Sequence, residues 1–209
     1  MASELVFYTH PQSRGRIAHW MLEEVGQPYT TVWVGYGPEM KTAAYLAVNP
    51  MGKVPALRDG EAVVTEAAAI CAYLADRFPQ AGLAPDPASR ERAAYLRWLF
   101  FAAGPLEQAT TAHALGWQVP EGRGGMVGFG SLGSTLDALE GAVSGGPYLC
   151  GDRFTAADVY VGSSLGWGLM FGTIEKRPAF EAYVARVQAR PAAQRVQQIN
   201  QARIDATKT

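Results

Sequence analysis

The chain has 209 residues, 48% of them hydrophobic, which is enough for a sizeable core in one large domain or two modest ones. Its 18 Lys and Arg residues nearly balance 19 Asp and Glu residues, so the basic surface typical of nucleic-acid-binding proteins is not expected. The two cysteines, Cys71 and Cys150, provide neither a disulfide framework nor a zinc pattern. Histidines, cysteines and carboxylates show no metal-ligand spacing, so no metal cofactor is expected.

The sequence also lacks the patterns of secretion and membrane insertion. Residues 1–5 have neither the basic region nor the apolar core of a signal peptide. The longest uncharged run near the end, residues 159–174, contains glycines and serines and is short for a membrane span. We therefore expect a cytoplasmic protein that does not contact membranes.

Up to about residue 80 the hydrophobic pattern alternates between the periods of strands and helices. It predicts, in chain order, a strand over 5–8, a helix over 15–25, a strand over 30–34, a hairpin of 54–57 with 62–64, and a helix from 66 to 78. Gly26-Gln27-Pro28 closes the first helix, and Asp59-Gly60 provides the hairpin turn. The order βαβ followed by ββα predicts a small mixed sheet.

Pro, Gly and Ala dominate residues 81–88, which we interpret as a linker between a domain over 1–80 and a domain over 89–209. The second domain is predicted to be all-helical, with about five helices. They cover 89–114, 134–143 and 155–171, and two more begin at Pro178 and at Pro191. Thr155 and Asp158 have the spacing of a capping box, in which each side chain takes the backbone amide of the other.

Residues 128–133 spell Gly-Phe-Gly-Ser-Leu-Gly, which fits the dinucleotide-binding fingerprint letter by letter. That fingerprint requires a preceding strand and a surrounding βαβ unit, and the sequence predicts neither here. We therefore interpret the segment as a glycine-rich connection between helices.

The segment Asn49–Leu57, Asn-Pro-Met-Gly-Lys-Val-Pro-Ala-Leu, enters a strand through a Val-Pro bond. In the cis form this bond would turn the amide and carbonyl of Val54 outward, where an extended peptide can pair with them. Thr65-Glu66 then opens a helix, and the first N–H groups of a helix attract anions. A strand edge beside a helix N-terminus predicts a receptor for a short peptide that carries carboxylates.

Four motifs together resemble the soluble glutathione transferase family, in their order and in their spacing. They are Pro11-Gln12-Ser13-Arg14, the segment Asn49–Leu57, the helix start Thr65–Ile70, and the box Thr155–Asp158. The resemblance covers nearly the whole chain and points to a bacterial-type serine class. It implies an α/β plus all-α fold, with a thioredoxin-like N-terminal domain followed by an all-helical C-terminal domain. It also implies a homodimer, with glutathione bound to the first domain as co-substrate.

By the same resemblance, the Val54 backbone, held by a cis Pro55, pairs with the cysteinyl unit of glutathione. The Glu66 carboxylate pairs with the γ-glutamyl ammonium, and the helix amides at Glu66 and Ala67 take the γ-glutamyl carboxylate. Lys53 offsets a carboxylate of the ligand, with a solvated loop lysine as the alternative. Position 67 usually carries a serine, and alanine there loses one hydrogen bond to a charged group, worth about 1.5–3 kcal/mol.

The chemistry requires the glutathione sulfur as a thiolate, because the thiol is a poor nucleophile near neutral pH. Ser13, at the entry to the first helix, matches the catalytic serine of several classes of the family, and its hydroxyl could hydrogen-bond the sulfur anion. A helix N-cap is the alternative for Ser13, and the two roles can coexist. Tyr8 is the second candidate, His10 is a possible base, and Arg14 would add a positive charge.

These residues indicate a transferase that uses glutathione on small hydrophobic electrophiles. In this family the electrophile binds between the domains, and the aromatic candidates, most of them expected in the core, are Trp98, Phe101, Trp117, Tyr160, Trp167 and Phe171. A non-catalytic binding or dimerisation module is an alternative that Ala67 favours. A glutathione-dependent isomerase is another, although the serine-cysteine-rich opening of maleylacetoacetate isomerase is absent. A thiol-disulfide oxidoreductase would need a cysteine at position 13.

Overall fold

A computed structural model describes residues 4–207, which divide into two compact units. The first unit comprises the residues up to Leu83 together with those from Ala189 onward, and the second is Ala84–Gln188. The last helix, which we predicted within the domain 89–209, thus groups with the N-terminal unit, because it packs along the first helix. The boundaries 1–80, 81–88 and 89–209 otherwise stay predictions.

The first unit contains β1 Leu5–Thr9, α1 Gly15–Val25, β2 Tyr29–Trp33, a short α2 Ala43–Leu46, β3 Ala56–Asp59, β4 Ala62–Thr65 and α3 Ala67–Arg77. The second contains α4 Glu91–Phe101, a π-helical segment Ala102–Leu106, α5 Glu107–Ala114, α6 Leu132–Ser144, α7 Ala156–Phe171 and α8 Pro178–Gln188. Helix α9, Pro191–Ala206, completes the first unit. The predicted strands and helices of the N-terminal half are confirmed with small shifts at their ends, whereas α2 was not predicted.

The four strands form one sheet in the order β2-β1-β3-β4. Strand β1 runs parallel to β2 and antiparallel to β3, and β4 pairs antiparallel with β3. Tyr8 of β1 lies opposite Ala56 of β3, and Ala56 lies opposite Thr65 of β4. Strands β1 and β4 therefore end where β3 begins, at one end of the sheet. The predicted mixed sheet and hairpin are confirmed.

A tight turn joins β1 to α1, and it requires a glycine at position 15. A Cβ atom on Gly15 would lie 1.9 Å from the Thr9 hydroxyl oxygen and 2.9 Å from that of Ser13. Helix α1 then packs against β1 and α3, and it ends at Gly26, whose φ of 69° suits glycine. The close approach of Thr9 therefore sets where α1 starts relative to the sheet.

The predicted helix over 89–114 is interrupted by the π-helical segment Ala102–Leu106. Pro105 lies inside this segment. Proline has no N–H, and its ring clashes with the carbonyl four residues earlier, so the regular α-helical ladder is disfavoured there. The interruption thus follows from Pro105, and the periodicity of the apolar positions, on which the helix prediction is based, does not reveal its effect.

The capping box predicted at Thr155 and Asp158 is present at the start of α7. The buried Asp158 carboxylate accepts hydrogen bonds from the Thr155 N–H at 2.9 Å, the Leu149 N–H at 2.9 Å and the Tyr183 hydroxyl at 2.8 Å. This carboxylate thereby joins α7, α8 and the chain that precedes α7. Pro178 and Pro191 are the first residues of α8 and α9, as predicted. Within residues 4–207, no helix combines the length and the apolar character needed to cross a bilayer.

Candidate functional site

The sheet topology gathers the predicted site residues at one end of the first unit. Ser13 and Arg14 follow β1, Lys53–Pro55 precede β3, and Glu66 and Ala67 follow β4. Because β1 and β4 end where β3 begins, all three segments leave the sheet from the same end. Helices α1 and α3 begin there too and pack against each other. Two positive helix N-termini therefore face one region, which favours an anionic ligand.

The Val54–Pro55 peptide bond is cis, and the segment before it is held by two buried side chains. The carbonyl of Lys53 accepts hydrogen bonds from the Tyr45 hydroxyl at 2.7 Å and from the Asn49 side-chain amide at 2.7 Å. Among the described residues, no backbone hydrogen bond outside the helices and strands involves Val54. The N–H and carbonyl of Val54 are thus available for a peptide ligand.

The sequence analysis did not identify Tyr45 and Asn49 as positioning residues. Asn49 opens the quoted motif, and a buried asparagine beside a turn usually hydrogen-bonds nearby backbone groups, so this role was within reach. Tyr45 lies on α2, a helix without a clear sequence pattern. Its contact with the Lys53 carbonyl depends on the tertiary fold.

Helix α3 begins with an unusual backbone conformation at Glu66. Its φ is 65° and its ψ is 119°, and it is the one non-glycine residue with positive φ among those described. Such conformations are costly and cluster at ligand sites. The first backbone hydrogen bond of the helix runs from the Ile70 N–H to the Glu66 carbonyl, at 2.9 Å. The amides of Ala67, Ala68 and Ala69 therefore have no acceptor within the helix and can bind an anion.

Ser13 is nearly buried, and both hydrogen-bonding functions of its hydroxyl are in use. The hydroxyl donates to the His10 carbonyl at 2.7 Å and accepts from the Gly15 N–H at 2.9 Å. The second bond is a capping interaction at the first residue of α1. The Ser13 hydroxyl must break its hydrogen bond to the His10 carbonyl before it can donate to a ligand sulfur.

The other predicted site residues differ in their exposure. Tyr8 is half-buried on the face of the sheet that packs against Val34, Met40 and Tyr45, with 5.9 Å between the ring centres of Tyr8 and Tyr45. The side chains of Arg14, Lys53 and Glu66 are exposed. Charged groups that stay hydrated can meet a ligand without a large desolvation cost.

His10 lies in the turn between β1 and α1, against Tyr36. The two ring centres are 4.1 Å apart. The His10 Nδ1 accepts the Gln12 N–H at 3.2 Å, and the Tyr36 hydroxyl donates to the Gln12 carbonyl at 3.1 Å. Burial, and to a smaller extent the charge of Arg203, lowers the pKa of His10. His10 is therefore neutral near pH 7, and Tyr36 is a further residue that the sequence analysis missed.

A separate apolar cavity of about 870 Å³ lies within the second unit. It is bordered by α5 and by the glycine-rich connection, including Trp117, Pro120, Met126 and Phe129. Of the six predicted aromatic residues, only Trp98 and Tyr160 are buried, so the expectation that most of them lie in the core is wrong. Trp117 lines this cavity. The connection contains a 3₁₀ turn at Gly124–Met126 and leads into α6, so its interpretation as a link between helices is confirmed.

The protein's own thiols lack the lowered pKa of reactive cysteines. Burial raises the pKa of Cys71, and it raises that of Cys150 to about 11. Within residues 4–207, no group of three or more His, Cys, Asp or Glu residues could hold a metal ion.

Comparison with known proteins identifies the family. Residues 14–77 match the family described as "Glutathione S-transferase, N-terminal domain", and residues 128–191 match "Glutathione S-transferase, C-terminal domain". The chain is 31% identical over 193 residues to the glutathione S-transferase GstA of Escherichia coli, which covers 90% of this chain and 94% of that protein. The chain belongs to the glutathione S-transferase family.

A further relative and two solved structures are also similar to this member of the glutathione S-transferase family. It is 34% identical over 176 residues to a maleylacetoacetate isomerase of Pseudomonas aeruginosa, covering 79% of this chain and 80% of that protein. A glutathione transferase structure from Methylococcus capsulatus is similar with a TM-score of 0.78 at 34% identity, covering 95% and 99% of the two chains. A sphingomonad glutathione S-transferase in complex with glutathione has a TM-score of 0.76 at 30% identity, covering 93% and 98%. The predicted thioredoxin-like and helical fold class is confirmed.

Proposed function

We propose that this protein transfers glutathione to small electrophiles through a thiolate held at the start of α1. One observation carries the proposal: the same sheet end presents the free backbone of Val54 and the N-termini of α1 and α3. A tripeptide with two carboxylates and a central cysteine matches this arrangement, because its backbone pairs with a strand edge while its charges meet helix amides.

In this proposal each group takes the binding role that the resemblance to the family implies. Val54 pairs with the cysteinyl backbone, and the Glu66 carboxylate meets the γ-glutamyl ammonium. The amides at the start of α3, beginning with Ala67, take the γ-glutamyl carboxylate. The exposed Lys53 is placed to offset a carboxylate. Tyr45 and Asn49 hold the Lys53 carbonyl and so keep this edge in position before a ligand arrives.

Catalysis depends on how Ser13 redirects its hydroxyl. Rotation about the Cβ–Oγ bond turns the hydrogen from the neutral His10 carbonyl to the sulfur anion, and hydrogen bonds to charged groups are about twice as strong as neutral ones. The positive end of α1 and the charge of Arg14 add to this stabilisation. The thiolate then attacks the electrophilic carbon and forms a carbon–sulfur bond. The electron pair passes to the leaving group or to the adjacent unsaturated carbon. Tyr8 is the alternative donor to the sulfur.

The homodimer and the cytoplasmic location stay predictions.

A Ser13→Ala variant tests the mechanism. We expect kcat/KM to fall about 10- to 100-fold, since one hydrogen bond to a charged group is lost, while the glutathione dissociation constant changes little. The ultraviolet absorbance of the bound thiolate should then appear at higher pH than in the unmodified enzyme. Ser144→Ala, at the exposed end of α6, is the matched control. Unchanged turnover toward every accepted electrophile would remove Ser13 from the mechanism.

A non-catalytic glutathione-binding module is the second candidate. Ala67 lacks the usual hydroxyl, and the Ser13 hydrogen is already bound to His10. Calorimetry with glutathione separates the two: micromolar affinity together with turnover supports the transferase, and millimolar or absent affinity supports the module.

A further inference from the structure

Helices α1 and α9 pack in opposite directions along a ladder of complementary side chains. Arg190 makes a two-pronged contact with Glu24, with both N···O distances at 2.7 Å. Arg195 then meets Glu23 at 2.9 Å. Successive contacts involve lower residue numbers in α1 and higher residue numbers in α9, so the two helices are antiparallel. Each carboxylate of α1 in this stretch is paired with an arginine that lies in α9 or directly before it.

The next contact between the two helices joins two neutral side chains and fixes the register of α9 on α1. The side-chain amide of Asn200 lies 3.0 Å from the Nδ1 of His19. The Nε2 of His19 lies 2.8 Å from the Tyr29 hydroxyl, which donates to Glu23. That hydroxyl therefore accepts from His19 Nε2, and Nδ1 accepts from Asn200. The buried contact leaves no freedom to shift one helix along the other.

One helical turn beyond the His19–Asn200 contact, the pairing of complementary side chains between α1 and α9 ends. Arg16 lies three residues before His19, and Arg203 lies three residues after Asn200, so the same register brings two cations to one end of the helix pair. Within residues 4–207 neither guanidinium has a carboxylate partner. Arg203 lies 5.6 Å from the centre of the Trp33 ring. We call Arg16 and Arg203 the arginine pair.

Of the two arginines, Arg203 is exposed, whereas Arg16 has lost part of its hydration. Arg16 is half-buried, and the loss of water around its guanidinium lowers its pKa. Arg203 also lowers the pKa of His10, so its field reaches the turn before α1. The nearest carboxylate along α9 is Asp205, two residues from Arg203 and so on another face of the helix, where it accepts a hydrogen bond from Gln201 at 3.0 Å.

The sheet order places the arginine pair on a definite side of Ser13. Trp33 ends β2 opposite Thr9, whereas Lys53 and Glu66 flank β3 and β4. Strand β1, which leads to Ser13, lies between these two groups of strands. A sulfur held at Ser13 would therefore have the tripeptide on its β3–β4 side and the arginine pair on its β2 side.

We propose that the arginine pair binds the carboxylate of an anionic electrophile. Guanidinium groups bind carboxylates in a two-pronged, charge-assisted manner, and the Trp33 ring offers a flat apolar surface beside them. The proposal rests on the proposed transferase function and names its substrate class: an apolar electrophile that carries a carboxylate. For a chloronitrobenzoate, the thiolate adds to the ring carbon that bears chlorine, the carbon–sulfur bond forms, and chloride leaves with its electron pair.

The test compares a chloronitrobenzoate with its neutral amide in Arg16→Gln and Arg203→Gln enzymes. We expect kcat/KM for the carboxylate to fall at least about tenfold, mainly through KM, while the amide changes less than about twofold. Arg58→Gln removes a charge from an exposed position of β3 and serves as the control. Equal losses for both compounds would overturn the proposal. So would a loss confined to glutathione affinity, because the pair would then hold the tripeptide's own carboxylate.

A direct measurement of binding distinguishes a failure of the arginine site from a failure of the proposed transferase function. Calorimetry with nitrobenzoate, which lacks the leaving group, should show binding that both glutamine variants weaken at least about tenfold and that Arg58→Gln retains. If nitrobenzoate binds in this way but no electrophile is turned over, the arginine site stands and the transferase function fails. If the amide is turned over while nitrobenzoate binds equally to all four proteins, the transferase stands and the arginine site fails.

Discussion

At the scale of single residues, Ala67 decides how tightly the proposed tripeptide is held. Its buried methyl group lies at the first turn of α3, beside the amides that would receive the γ-glutamyl carboxylate. We expect Ala67→Ser to lower the glutathione dissociation constant about tenfold or more, since a hydroxyl adds a hydrogen bond of about 1.5 kcal/mol or more to a charged group. Titration calorimetry measures this change, with Ala62→Ser, at the exposed start of β4, as control. Equal affinity in all three proteins would show that the amides alone saturate the carboxylate.

At the scale of elements, Asp158 determines how α7 is anchored. Its buried carboxylate accepts from two backbone amides and two hydroxyls, which all donate. Asp158→Asn places an NH₂ donor against donors, so we expect a loss of about 2–4 kcal/mol in the free energy of unfolding. Denaturant titration measures it, and Asp152→Asn, at an exposed position, should stay within about 0.5 kcal/mol of the original protein. If Asp158→Asn also lowered the free energy of unfolding by no more than about 0.5 kcal/mol, water would be replacing the hydrogen bonds of the Asp158 carboxylate.

At the scale of the whole molecule, His19 makes stability depend on pH. Burial lowers its pKa from 6.5 to about 4, so between these values the unfolded chain binds a proton that the folded chain does not. The stability is therefore complete above about pH 6.5 and declines as the pH falls toward 4, by about 3 kcal/mol for this group. Unfolding free energies measured across that range should show a weaker decline in His19→Gln and an unchanged one in His113→Gln, an exposed histidine. The same slope in both variants would contradict this assignment.

The sequence by itself determined the features that depend on neighbouring residues. The bounds of α1, the hairpin around Asp59-Gly60, the capping box of α7 and the starts of α8 and α9 at prolines all follow from local periodicity, turn chemistry and capping. The candidate site residues were named from motifs, and the sheet topology then brings their segments to one end.

Only the tertiary structure decided the contacts between distant parts of the chain. Tyr45 reaches the Lys53 carbonyl, α9 joins the N-terminal unit, and the register of α9 on α1 brings Arg16 to the end where Arg203 lies. Local patterns cannot report such contacts, because burial and complementary charge select a partner among all surfaces of the folded chain. The same reason applies to Ser13: its sequence position suits both a cap and a catalyst, and only the folded turn shows that its hydroxyl donates to the His10 carbonyl.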